Sequence, residues 1–155
     1  MSKITVIGAG SVGATIANDL MIQGIASEIL LIDINKPKAF GEALDIYQGA
    51  PFCSPAIVRS GEYEDAAGSD IVVITSGMPR KAGQSRLDLA QANVNIIKDI
   101  APQIVKVAPN AIYIIVSNPV DVLTYVFHKI SGVPESHIIG SGTILDTSRL
   151  QSVLA

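Results

Sequence analysis

Two residues of opposite charge, Asp146 and Arg149, stand three positions apart near the end of the chain. Positions i and i+3 share one face of a helix, so a helix would bring this carboxylate and guanidinium together. The residues after Arg149 include no Gly, Asn or Pro that would end such a helix. We therefore expect the chain to contain part of an active site and to end before the rest.

A second set of residues, near the start, could bind a phosphate group. Gly8, Gly10 and Gly13 form a G-x-G-x-x-G pattern between an apolar run and a helical pattern. Such glycines permit a tight turn, a close approach of backbone to pyrophosphate, and close packing of helix on strand. Asp33 follows 20 residues after Gly13, where an acid binds adenosine ribose hydroxyls. An acid there repels a 2′-phosphate, so the pattern predicts NAD rather than NADP as cofactor.

Polar residues also follow two later apolar runs. Arg80, Lys81 and Arg86 lie in a glycine-containing loop, and Asn118 lies in Val-Ser-Asn-Pro-Val-Asp. Ligands in open α/β sheets bind outside the carboxyl ends of strands, which favours recognition of an anion or carbonyl group by the loop cations. A solvated basic loop is the alternative. Asn118 could orient a carbonyl or alcohol group, cap a helix that begins at Pro119, or do both.

The elements that must position these residues alternate along the chain. Near-continuous apolar runs such as residues 71–74 and 112–116 are typical of strands buried on both faces of a parallel sheet. Together they predict an α/β fold with a doubly wound, six-stranded parallel sheet of the Rossmann type. The expected strands are Ile4–Gly8, Glu28–Asp33, Ala56–Arg59, Asp70–Thr75, Ala111–Val116 and His137–Ile139. The expected helices are Val12–Gln23, Pro37–Gln48, Leu87–Val107 and Val120–Ser131.

Composition excludes several classes of function. The chain has 155 residues, 48% of them hydrophobic, with a formal charge of −3 and a pI near 5.2. It has no basic footprint for nucleic acid, no apolar run long enough for a membrane span, and no signal-peptide layout at Met1. Cys53 is the only cysteine, which favours a reducing cytoplasm, and the lack of a His/Cys cluster predicts no metal site.

These motifs together resemble the lactate/malate dehydrogenase family from Ile4 to Ala155. The resemblance implies reversible hydride transfer between NAD and a small L-2-hydroxy acid, with a 2-oxo acid as product. It implies that Arg86 polarises the substrate carbonyl, Asn118 hydrogen-bonds the reacting oxygen, Arg149 grips the substrate carboxylate and Asp146 orients a catalytic histidine. The cofactor-binding residues it implies are Gly8, Gly10, Val12, Gly13, Asp33, Tyr63, Gly77, Val116 and Asn118.

The sequence favours lactate over malate as the substrate, although one residue argues the other way. In the family, the residue six before the catalytic arginine is usually glutamine in lactate enzymes and arginine in malate enzymes. This chain has Arg80 there, whose charge would match a second carboxylate. The segments Arg-Leu-Asp-Leu and Gly-Ser-Gly-Thr-Ile-Leu-Asp-Thr look more like those of lactate enzymes.

The family's catalytic histidine falls beyond residue 155. We interpret His128 and His137 as structural or surface residues, so the chain alone is expected to be an inactive NAD-binding fragment. We expect residues 1–143 to form the dinucleotide-binding domain and residues 144–155 to begin a truncated substrate domain. By resemblance, the full-length enzyme would be a homodimer or homotetramer.

Overall fold

The computed structural model describes residues 2–79, 83 and 85–155. Its centre is a sheet of six parallel strands, which are β1 Lys3–Ile7, β2 Glu28–Ile32, β3 Ile57–Ser60, β4 Ile71–Ile74, β5 Ile112–Ile115 and β6 Ile138–Gly140. Their order across the sheet is β3-β2-β1-β4-β5-β6. The first strand pairs with β2 on one side and β4 on the other, so the strand order reverses between β1 and β4.

Helices cover both faces of this sheet. They are α1 Ser11–Ile22, α2 Lys36–Gln48, α3 Arg86–Val107, α4 Val120–Ser131 and α5 Gly142–Leu154. Short 3₁₀ turns lie at Ala50–Phe52, Tyr63–Ala66 and Glu135–His137. The doubly wound parallel sheet predicted from the sequence is confirmed, because each of the helices α1 to α4 returns the chain to the same end of the sheet for another parallel strand.

Two apolar clusters fix the helices on the sheet. On one face, α3 and α4 pack through residues such as Ile97 and Phe127, whose ring centroid lies 4.9 Å from that of Tyr113 in β5. On the other face, α1 and α2 pack through residues such as Met21 and Ile46. Burial on both faces explains the unbroken apolar runs of the central strands.

The fifth helix differs from the other four. It begins at Gly142, and none of its residues is buried.

His137 ends a 3₁₀ turn, and β6 begins one residue later, so the expectation that His137 opens the last strand was wrong. No helix within the described part of the chain is long and apolar enough to cross a membrane.

Candidate nucleotide and substrate site

The glycine turn lies where β1 ends and α1 begins. Gly8 has a φ of +107°, which favours glycine, and a Cβ there would lie 2.7 Å from Thr75 Oγ1. A Cβ on Gly13 would overlap the carbonyl oxygen of Gly8. A Cβ on Gly10, in contrast, would meet no heavy atom within 4 Å. The first and third glycines are therefore required by packing within the domain, while Gly10 faces open space at the N-terminus of α1.

Asp33 is tied to this turn by the backbone. It follows β2, and its Oδ2 accepts a hydrogen bond of 2.7 Å from Ala9 N–H. Its Oδ1 accepts another of 2.8 Å from Asn35 N–H. Gly8 N–H donates to the carbonyl of Ile32 at 2.7 Å. The acid predicted to bind a ribose thus has a position fixed relative to the glycine turn.

A cleft of about 740 Å³ opens beside the turn. The predicted cofactor residues in its wall are Gly8, Gly10, Asp33, Tyr63 and Gly77. The other four predicted cofactor residues lie outside the wall. They are Val12, which is 55% exposed on the first turn of α1, Gly13 beneath the turn, Val116 at the core, and Asn118.

The end of this cleft around Tyr63 carries the carboxylates of Asp33, Glu62 and Asp99. Burial raises the pKa of the Tyr63 hydroxyl, and the carboxylates of Asp99 and Asp33 raise that pKa further. Lys36 Nζ, also in the cleft wall, pairs with a Glu62 oxygen at 2.6 Å. Exposed Ile34 adds apolar surface at the rim. This end suits an uncharged aromatic group flanked by hydroxyls better than it suits an additional phosphate.

Hydroxyl groups after two strands connect neighbouring segments at this edge of the sheet, and the sequence reasoning did not identify them. Thr75 Oγ1 donates to the Gly8 carbonyl at 2.9 Å. Ser117 Oγ donates to the Ser76 carbonyl at 2.6 Å. Each hydroxyl comes within two residues of the end of a buried strand. A polar residue directly after an apolar run was the sequence feature that could have identified them.

A second cavity, of about 530 Å³, lies between α4 and α5. Asn118 and Asp146 both line it, so the structure brings these two predicted residues to one cavity. Asp146 Oδ1 accepts a hydrogen bond of 3.2 Å from Arg149 Nη1, as the i, i+3 spacing predicts. The two side chains are 78% and 68% exposed, and Arg149 is not part of the cavity lining.

The remaining predicted residues are positioned by helix ends. Arg86 is the exposed first residue of α3, directly after the cap formed by Ser85 and Asp88. The helix after Asn118 begins at Val120, and Pro119 occupies its cap position. The expectation that Asn118 caps a helix beginning at Pro119 was therefore wrong by one residue. Arg80 and Lys81 lie outside the described residues.

The fold, glycine turn and acid define a dinucleotide-binding domain at a topological switch point. Residues 2–140 match the family model described as lactate/malate dehydrogenase, NAD binding domain. The chain belongs to the lactate/malate dehydrogenase family.

Relatives of this chain include lactate and malate enzymes. L-lactate dehydrogenase 1 of Clostridium acetobutylicum is 54% identical over 154 residues, which are 99% of this chain and 49% of that protein. The chain thus spans about half the length of the curated relatives it matches. Among solved structures, the lactate dehydrogenase MGS-M5 from a Medee basin deep-sea metagenome library has 42% identity and a TM-score of 0.93. The match covers 99% of this chain and 49% of that one. Malate dehydrogenase from Archaeoglobus fulgidus in complex with NADH has 43% identity and a TM-score of 0.83, and the match covers 88% of this chain and 47% of that one.

Proposed function

We propose that the chain is the nucleotide-binding half of an NAD-dependent L-lactate dehydrogenase, which interconverts L-lactate and pyruvate. The observation that carries this proposal is the hydrogen bond between Asp33 and Ala9, which fixes a ribose-binding acid beside a phosphate-binding turn. The 54% identity to a lactate enzyme supports lactate as the substrate.

The residues present fit NAD. Open space at Gly10 and the N–H groups at the start of α1 would accommodate the pyrophosphate. Asp33 would accept hydrogen bonds from ribose hydroxyls, while Ile34 and Tyr63 would contact the adenine. The acids near Tyr63 disfavour a 2′-phosphate, which supports NAD over NADP. The nicotinamide of bound NAD supplies the hydride acceptor.

The chain would contribute four groups toward the substrate. We assign carbonyl polarisation to Arg86, hydrogen bonding of the reacting oxygen to Asn118, and carboxylate binding to Arg149. The ion pair with Asp146 uses only Nη1 of Arg149, so Nη2 and Nε can make the two-pronged contact that a carboxylate favours. Asp146 would orient the histidine base and stabilise its protonated form, as an acid does in a catalytic triad.

Malate dehydrogenase is the second candidate, because Arg80 carries the charge that would pair with the second carboxylate of oxaloacetate. The test is NADH oxidation by the full-length protein with pyruvate and with oxaloacetate. We expect kcat/KM to be higher for pyruvate, and Arg80→Gln to shift the ratio further toward pyruvate. A higher kcat/KM for oxaloacetate would replace the lactate assignment, and activity with neither substrate would defeat both.

Domain boundaries and assembly form part of the same proposal. Residues 1–143 would be the dinucleotide-binding domain, and residues 144–155 would begin the substrate domain that supplies the histidine. This nucleotide-binding half alone, which spans 49% of a related lactate enzyme, is expected to bind NADH without catalysis. We propose a cytoplasmic homodimer or homotetramer for the full-length enzyme, which light scattering after size-exclusion chromatography would distinguish from a monomer.

A further inference from the structure

Asn93 is a polar residue in the buried stripe of α3. It is 2% exposed and lies one helical turn before Ile97, which is fully buried. Its Oδ1 accepts a hydrogen bond of 2.8 Å from Met78 N–H. Its Nδ2 donates a hydrogen bond of 2.7 Å to the backbone carbonyl of Asn118. A single buried side chain thus connects the segment after β4 with the segment after β5.

The orientation of this amide follows from its partners. A backbone N–H only donates and a backbone carbonyl only accepts, so the oxygen must face Met78 and the nitrogen must face Asn118. No hydrophobic side chain can make both contacts. A carboxylate can accept from Met78 but cannot donate to Asn118, whereas a neutral carboxylic acid can do both.

The two connected segments belong to different cavities. Gly77 and Met78 line the cleft proposed for NAD, and a Cβ on Gly77 would lie 3.5 Å from the Asn93 amide. Asn118 lines the second cavity together with Asp146. A displacement of either segment would change the distance between the groups proposed to hold the cofactor and those proposed to hold the substrate oxygen.

We propose that Asn93 is a positioning residue that sets Asn118 relative to the cofactor cleft. This inference rests on the proposed function, because the consequence of misplacing Asn118 is a loss of hydride transfer. Asn93 acts through Met78 and Asn118 and is in the lining of neither cavity. Small displacements of such groups reduce the rate of the chemical step more than they reduce cofactor affinity.

The test compares Asn93→Leu and Asn93→Asp in the full-length protein, with Asn95→Leu as a matched control on the exposed face of the same helix. We expect Asn93→Leu to lower kcat for 2-oxo acid reduction by about tenfold or more, while the Kd for NADH from nicotinamide fluorescence changes less than about threefold. The control should retain kcat within about twofold, since it loses only an exposed hydrogen bond from Gln91.

The aspartate variant separates positioning from general stability. Burial raises the pKa of a carboxyl group, so lowering the pH should convert Asp at this position to the neutral acid that makes both hydrogen bonds. We expect kcat of Asn93→Asp, divided by that of the wild type at the same pH, to rise as the pH falls. The same ratio for Asn93→Leu should stay constant. Identical pH profiles for the two variants, or an unchanged kcat in Asn93→Leu, would overturn the proposal.

A direct structural readout keeps the two proposals distinguishable. In the 155-residue chain, the protection factor of the Met78 amide, which is its intrinsic exchange rate divided by its observed rate at the same pH, should be lower in Asn93→Leu than in the wild type. In Asn93→Asp this protection factor should rise as the pH falls. If the wild type reduces neither oxo acid but shows this exchange pattern, the proposed function fails while the positioning role of Asn93 stands. Unchanged exchange at Met78 in Asn93→Leu would overturn that role. If Asn93→Leu does not fold, the low-pH and high-pH states of Asn93→Asp supply the comparison.

Discussion

The cleft proposed for NAD and helix α5 hold their candidate functional residues in different ways. Asp33 is fixed by two backbone N–H groups, and Gly8 and Gly13 are packed too tightly for a side chain. Asp146 and Arg149, in contrast, contact each other on a helix with no buried residue. Packing against the rest of the domain therefore fixes the residues of the cleft. In α5, only the i, i+3 spacing along the helix sets the geometry of the Asp146–Arg149 pair.

This difference reflects what each region packs against. The glycine turn lies between β1 and α1 and packs against Thr75, the residue after β4, so Gly8 and Gly13 are buried. The apolar residues of α5 contact solvent, with exposures from 56% for Leu145 to 82% for Val153. Exposed contiguous apolar residues of this kind commonly mark a surface that another domain or subunit covers.

The largest expected effect comes from Gly13→Ala at the tightly packed glycine turn. Its Cβ would overlap the Gly8 carbonyl, so we expect the free energy of unfolding to fall by about 3 kcal/mol, as in an overpacked core, with loss of NADH binding. Chemical denaturation and nicotinamide fluorescence measure the two effects. Gly41→Ala, which places a Cβ in open space on α2, should be neutral or stabilising. A Gly13→Ala protein with wild-type stability would contradict the packing argument.

Gly10→Ala should separate binding from folding at the same turn. Nothing lies within 4 Å of its Cβ, so stability should stay within about 1 kcal/mol, the range of helix propensity effects. We expect NADH affinity to fall by about tenfold or more, because a methyl group would stand between backbone and pyrophosphate. Titration by calorimetry gives the Kd. An unchanged Kd would place the pyrophosphate away from Gly10.

Asp33→Ala is expected to have the next largest effect. Loss of two hydrogen bonds to a charged acceptor should lower stability by about 2 kcal/mol and weaken NADH binding. The Kd ratio of NADPH to NADH should fall, since the repulsive charge is removed. Asp45→Asn removes an exposed acid on α2 outside the cleft and should leave the ratio unchanged. A constant ratio in Asp33→Ala would show that another group sets cofactor choice.

The free energy of unfolding should also depend on pH in the alkaline range, because of a buried tyrosine in β5. Burial raises the pKa of Tyr113 to about 12, and its hydroxyl donates to the Ala108 carbonyl at 2.7 Å. The stability from the neutral phenol is complete below the usual pKa near 10 and is lost as the pH rises toward 12, by about 1.4 kcal/mol per pH unit. Urea denaturation of wild type and Tyr113→Phe should show a steeper decline for the wild type over this interval. An equal decline of stability with pH in the two proteins would contradict the raised pKa of Tyr113.

The smallest effect on stability is expected at α5. Asp146→Asn removes an exposed ion pair, so the free energy of unfolding of the chain should change by less than about 0.5 kcal/mol. In the full-length enzyme the same substitution should lower kcat strongly, because the histidine would lose its acid. A stability loss above about 1 kcal/mol in the chain would show that α5 packs more closely than its exposure indicates.

Most of the fold was predictable because the strands are buried on both faces and therefore appear as unbroken apolar runs. Residues 71–74 and 112–115 are two examples, and both are strands at the expected places. Strand boundaries were less predictable: β3 begins at Ile57 rather than Ala56, since pairing with Glu28 determines where the ladder starts. The 3₁₀ turn at Tyr63 has no apolar period long enough to reveal it.

The candidate site was predictable where a motif specifies local backbone geometry and less so where distant segments meet. The glycine spacing indicated the turn and the acid. Asn93 gave no such signal, because its two partners lie 15 and 25 residues away in sequence. Only its position as an amide in an apolar helical stripe distinguishes it, and that feature alone does not identify the partners.

The central position of β1 has a consequence for synthesis of the protein. Among the six described strands β1 leaves the ribosome before the others, yet it pairs with β2 about 25 residues later and with β4 about 67 residues later. The nascent chain can form one edge of β1 early, while the other edge stays unpaired until β4 has emerged. All three strands whose ends shape the proposed cofactor cleft are then available before β5 and β6 have emerged from the ribosome.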